Sequence, residues 1–307
     1  MRRMLCSLGG AILSLFFITS TALAWGSATH AYIADQLDKK RGSKNSLEMY
    51  STMAPDLFNY QFGSPFGSNL YLQTHFKFMN VSDRAQTGRQ KAMSAGFVSQ
   101  NDLWGADSTA HHASRTLSPA EGYVVTKAAV LAAEAPLPAG LGIPADAADE
   151  LYHVFVEAGV DVLTKRLDPL LGQKITRSAL ARSWGFPYLL SRAYAADLAV
   201  YYGTEDLARR AIFAAEANFR KMMILYGVAL AQDEATTIEL LAEELADLAE
   251  GFLAPRGVAL PPREVVHQII SLEIQRAMAL CAPDFEKELA GTITSVDQQL
   301  MLNGITD

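Results

Sequence analysis

The sequence predicts an all-α protein, a multi-helix bundle, on three observations. Long stretches repeat apolar residues at helical spacing, most clearly beyond residue 175, where they are also alanine-rich. No alternating apolar and polar run is long enough for a strand. Glycine and proline, 21 and 12 in 307 residues, gather in breaks between the periodic stretches.

In chain order the first segment stands apart. Arg2 and Arg3 precede an apolar run containing Ala11 to Phe17, and Ala22-Leu23-Ala24 is a small-x-small cleavage site. Residues 1–24 therefore read as a signal peptide. The run is interrupted by Thr19, Ser20 and Thr21, which disfavours a membrane anchor. Export to the periplasm or the medium is expected, with no transmembrane segment after cleavage. Cleavage would remove Cys6 and leave Cys281 as the one cysteine, so the fold must rest on its core or on metal. Cys281 lies on an apolar helical stretch and reads as buried and inert.

Residues 27–40 and parts of 46–60 read as helical, and the Gly/Ser/Asn-rich stretch 61–74 as a loop. Helices are expected near 89–113 and 118–134, followed by a Pro/Gly connector at 135–146. Asp146 or Asp149 is placed to cap a helix over 147–167. Further helices are expected at 204–232 and 234–253, then a break from Pro255 to Pro262, then a helix at 263–281. No repeat or Pro/Ser-rich linker divides the chain. Residues 25–170 carry the candidate chemistry, and 171–307 read as a helical continuation packed on that core.

Composition narrows the function. A hydrophobic half excludes disorder, and two cysteines exclude a disulfide scaffold. A net charge of −7 argues against bulk affinity for nucleic acid. The six histidines are more informative. Five of them, His30, His75, His111, His112 and His153, fall in the first half. Asp107 and His111 are four apart, as are His153 and Glu157, so each pair shares a helix face and can hold one ion. Imidazole and carboxylate together suit zinc better than calcium or magnesium. Cleavage after Ala24 would free the amine of Trp25, which with its own carbonyl can chelate a metal, and His30 follows five residues later. His267, in REVVHQII, reads as an ordinary core or boundary histidine.

In order, WGSATHAYIA, APDLFNY, THFKF, DSTAHH and HVFVE resemble the zinc-dependent phospholipase C family, the phospholipase C/D domain. The fungal zinc single-strand nucleases share that all-helical fold. The likeness covers about residues 25–160 in scattered short motifs. It implies up to three zinc ions (Zn2+). Trp25, His30 and Asp107 would hold one. Asp56, His75 and a bridging Asp107 would hold the second. His111 or His112, with His153 and Glu157, would hold the third. The family's histidine four residues before the bridging aspartate is replaced here by Leu103, with Asn101 and Asp102 as the nearest polar alternatives.

The activity implied is an exported zinc-dependent phosphoric diester hydrolase, phospholipase C-like. A zinc-bound hydroxide would attack phosphorus, and Asp56 could accept the water proton. The partner implied is a phospholipid or other phosphodiester, with transient contact at a membrane surface. The nuclease of the same fold, with nucleic acid as substrate by fold analogy alone, and a degenerate non-catalytic envelope protein are the alternatives.

Overall fold

The computed structural model describes residues 25–41, 46–60 and 66–305, and contains fourteen α-helices and no strand among them. The expected signal peptide, with Cys6, and part of the expected 61–74 loop lie outside the described residues. The first seven helices are α1 (Ser27–Arg41), α2 (Ser46–Thr52), α3 (Gly67–Phe76), α4 (Met79–Arg84), α5 (Gly88–Gln100), α6 (Ala106–His111) and α7 (Tyr123–Glu134). A 3₁₀ helix, Ala54–Tyr60, follows α2. The remaining seven are α8 (Ala145–Leu167), α9 (Leu171–Ala181), α10 (Gly185–Tyr202), α11 (Glu205–Leu230), α12 (Glu234–Leu253), α13 (Arg263–Cys281) and α14 (Phe285–Leu302).

Local signals explain most of the boundaries. Thr87 and Gln90 form a reciprocal capping box at the start of α5. The side chains of Thr204 and Asp233 accept backbone N–H bonds at the starts of α11 and α12. The breaks expected at 135–146 and 255–262 are present.

Three expectations are corrected. The stretch 61–74 is not a loop throughout, because α3 begins at Gly67. Its Leu70, Thr74 and His75 are buried, and that packing outweighs weak local propensity. The helical stretch expected near 89–113 is interrupted, and forms two helices, α5 and α6. Between them Asn101 Oδ1 accepts the N–H groups of Leu103, Trp104 and Gly105, a side-chain turn that competes with helix. Neither Asp146 nor Asp149 caps α8: Pro144 holds the cap position, with no side-chain cap bond, and Asp146 sits in the first turn, where its charge complements the helix dipole.

One hydrophobic core runs from Trp25 to Ile305. Helix α8 packs on α1, α7, α12 and α13, and α11 packs on α9 and α10. The segment 171–305 is therefore built into the same body as the first half. Tyr50 donates to Glu216 at 2.9 Å, and Thr109 shares a hydrogen bond with Thr292 at 2.8 Å. Cys281 is buried, and burial pushes its thiol up to about 12. No helix among the described residues is long and apolar enough to cross a membrane.

Candidate metal centre

The start of α1 is pinned from two sides. The Trp25 indole N–H reaches Ala106 O and Thr109 Oγ1, both at 3.0 Å, and its ring stacks on Tyr123. This holds the first residue of the described chain against α6. From α8, Asp161 accepts the N–H groups of Ala28 (3.1 Å) and Thr29 (2.8 Å) and the Thr29 hydroxyl (2.7 Å). Asp161 also accepts from Tyr226 of α11. A carboxylate thus serves buried first-turn donors that have no partner within the helix, where the helix dipole favours it. Gly26 makes room for it, since a Cβ there would lie 2.2 Å from Asp161 Oδ2. His30 is carried one turn further into the interior.

His30 meets Asp107, in the first turn of α6, with Nε2 and Oδ1 3.1 Å apart and both side chains fully buried. The other Asp107 oxygen lies 3.3 Å from His75 Nε2. His75, in the last turn of α3, also lies 3.4 Å from Asp56 Oδ1 on the 3₁₀ helix. Four residues from four elements form one continuous chain of imidazoles and carboxylates. Neither oxygen of Asp107 and neither ring nitrogen of His30 has a hydrogen bond among the described residues. Buried polar atoms are almost always satisfied, so this is an unusual arrangement.

The spacing is informative. Ligands about 2.0–2.1 Å from a tetrahedral zinc lie about 3.3–3.4 Å from one another. The three contacts, 3.1, 3.3 and 3.4 Å, fall near that edge length. A second group follows on α8, where His153 Nε2 and Glu157 Oε1 are 3.2 Å apart. The His111 ring lies 5.3 Å from the His153 ring. His111, His153 and Glu157, the residues expected at a third ion, thus lie side by side.

His111 and His112 differ. His111 is buried and faces His153. His112, whose side chain is 58% exposed, stands at the rim with Nε2 3.1 Å from Asp102 Oδ2. Single ligand atoms of Asp102, His111 and His112 lie within 4.8 Å of one another.

Electrostatics follow the geometry. Burial opposes protonation of His30, but the Asp107 carboxylate outweighs it and raises the His30 pKa. At His75, burial is again outweighed, here by Asp107 and Asp56, which raise the imidazole to about 10. Burial acts against ionisation of Asp107, yet His30 and His75 hold its carboxyl well below the usual range. Glu157 is pushed up by burial and by the nearby Asp56 charge. The site is short of positive charge, and a protonated His75 supplies some of it.

Leu103 is 57% exposed and cannot complete the second site. Asn101 is committed to its turn, and Asp102 sits with the third-site histidines rather than with His75. Gln100 fills the gap, donating to Asp56 Oδ2 at 2.8 Å, with its amide nitrogen 3.3 Å from His75 Nε2. Tyr71 stacks on His75 and donates to Asp102 Oδ2 at 2.9 Å. Gln100, Tyr71 and Asp161 escape a reading by sequence. The one hint is Asp161, which stands four residues beyond Glu157 on the same helix face. His267 approaches the backbone oxygen of Glu239 at 3.1 Å, as an ordinary boundary histidine.

No family model, no curated protein and no solved structure matches this chain.

The residues fit zinc on their own terms. The donors are nitrogen and oxygen, the carboxylates Asp56, Asp107 and Glu157 can offset the ionic charge, and buried donor atoms converge without bonding one another.

Proposed function

We propose that this protein is an exported zinc-dependent phosphodiester hydrolase of the phospholipase C type. The observation that carries the reading is the buried chain His30–Asp107–His75–Asp56, close at zinc-ligand spacing with Asp107 unsatisfied. The order of the motifs along the chain supports the same reading.

His30 and Asp107, with the backbone of Trp25, would hold one ion. Asp56, His75 and the shared Asp107 would hold a second, and His111, His153 and Glu157 a third. Zinc bound there lowers the pKa of a water and offsets charge on the phosphoryl oxygens. Asp56 is the most open member of the buried chain, with 12% of its side chain exposed. The Gln100 amide fixes its Oδ2, leaving the carboxylate oriented to accept a proton. Asp161 and Trp25 hold α1, and so keep His30 against Asp107.

Surface character supports a lipid substrate over a nucleic acid. Leu72 and Phe76, one turn apart on α3 around Tyr71 and His75, and Leu103 in the turn between α5 and α6 are exposed apolar residues. The net charge of −7 works against a polyanion.

Zinc-replete protein should cleave a chromogenic phosphodiester and release phosphorylated head group from phosphatidylcholine vesicles. Loss of both activities in a protein shown to hold zinc would overturn the reading. Release of nucleotides from single-stranded DNA, without lipid turnover, would assign the nuclease chemistry instead.

A further inference from the structure

Asp102 lies beside the candidate ligand set, and protein groups take both of its oxygens. At the exposed rim His112 Nε2 stands 3.1 Å from Oδ2. The contact between His111 Nδ1 and Asp102 Oδ1 is 2.8 Å, a charge-assisted hydrogen bond. A carboxylate can only accept, so His111 must donate through Nδ1, and its lone pair then sits on Nε2. His111 neighbours His153, whose Nε2 meets Glu157.

Asp102 is itself held. Its Oδ2 accepts from the Tyr71 hydroxyl at 2.9 Å, and its backbone N–H donates to His75 O at 3.2 Å. Tyr71 stacks on the His75 ring with centroids 4.2 Å apart. The His75 ring is held by the same turn of α3. Its Nδ1 lies 2.8 Å from the Thr74 hydroxyl and 3.3 Å from Tyr71 O, and Nε2 faces Asp56 and Asp107.

We infer that Asp102 is a positioning residue rather than a ligand: it fixes His111 with Nε2 as the metal-binding nitrogen, and through Tyr71 and His75 O it ties that ligand to the second metal position. The inference rests on the zinc reading above and adds what makes the third position specific in this chain. Outer carboxylate partners of this kind commonly change metal affinity by about 10–100-fold.

The test uses the full mature protein, with zinc and cobalt(II) as probes. Metal-free wild type, Asp102→Asn, Asp102→Ala and Tyr71→Phe are titrated, and competition with a chelator gives the affinity of each ion. Asp102→Ala should weaken one ion by about 10–100-fold, leave the total at saturation and the cobalt coordination spectrum unchanged, and leave the other ions as in wild type. Asp102→Asn, which keeps an acceptor oxygen, should restore most of the loss, and Tyr71→Phe should show a smaller loss at the same ion. Histidine ring nitrogen NMR should report His111 protonated at Nδ1 and metal-bound at Nε2. Loss of a whole metal equivalent with a changed cobalt spectrum in Asp102→Asn would make Asp102 a ligand and overturn the inference. Unchanged affinities in Asp102→Ala, even with a lower melting temperature, would make it merely structural and also overturn it. Wild type that binds no zinc would sink this inference together with the functional reading.

Discussion

Asp107 and Glu288 are both fully buried carboxylates, and the protein treats them in opposite ways. Glu288, on α14, takes hydrogen bonds from Ser114, from the N–H groups of Arg115 and Thr116, and from the Thr116 hydroxyl, at 2.6 to 2.9 Å. Its charge is met by donors the chain itself supplies. Asp107, on α6, accepts no hydrogen bond among the described residues and instead faces two imidazoles near zinc-ligand spacing. Under the zinc reading proposed above, the first carboxylate is met by the chain's own donors and the second is kept for a cation. The same contrast appears at Glu216, which Arg182 and Tyr50 satisfy.

The largest effects should fall on this contrast. Asp107→Asn should remove bound zinc and lower phosphodiesterase activity by about 10²–10³-fold, the scale set by loss of one preorganised electrostatic group. Glu288→Gln should do the reverse, lowering stability by about 2–3 kcal/mol in denaturant melts while zinc content stays at the wild-type value. Equal loss of zinc in both variants would erase the distinction.

Next comes the mount of α1. Gly26→Ala places a methyl group against the Asp161 carboxylate, which must then leave the N–H groups of Ala28 and Thr29. A destabilisation of about 1–3 kcal/mol is expected, together with weaker binding of the ion held by His30. Thermal melts with and without zinc separate the two effects.

The pH dependence tests whether a proton and a metal compete. In the metal-free protein the His75 pKa is raised to about 10, above its unfolded value near 6.5. Its contribution to stability is therefore full below about pH 6.5 and is lost as the pH rises towards 10. Zinc needs the neutral ring, so its apparent affinity should rise between about pH 6 and 8 with release of a proton. Calorimetry in buffers of different ionisation enthalpy measures that proton. Binding that ignores pH would remove His75 from the ligand set.

The smallest effect is expected at Leu103. Because the side chain is mostly in solvent, Leu103→Ala should leave zinc content unchanged and alter stability by less than about 0.5 kcal/mol.

In the second half α11, α12 and α13 were legible because capping residues and apolar periodicity are local, whereas α9, α10 and α14 were not delimited. Thr204 and Asp233 announce α11 and α12, and the 263–281 helix begins and ends where the pattern does. Within the candidate site, proximity was legible where two residues share a helix, as His153 and Glu157 do. Gln100, Tyr71 and Asp161 were not, because their roles depend on contacts between distant segments: Gln100 with Asp56, Asp161 with Ala28. The turn at 101–105 hid a related fact. It turns Leu103 outward and Asp102 inward, against His111.

The most direct test is the zinc content of the mature protein, measured by native mass spectrometry after zinc-replete dialysis, in wild type, Asp107→Asn and Glu288→Gln. The account predicts at least two zinc ions per chain in wild type and Glu288→Gln, and fewer in Asp107→Asn. Fewer than two ions in wild type, or a full complement in Asp107→Asn, would contradict it.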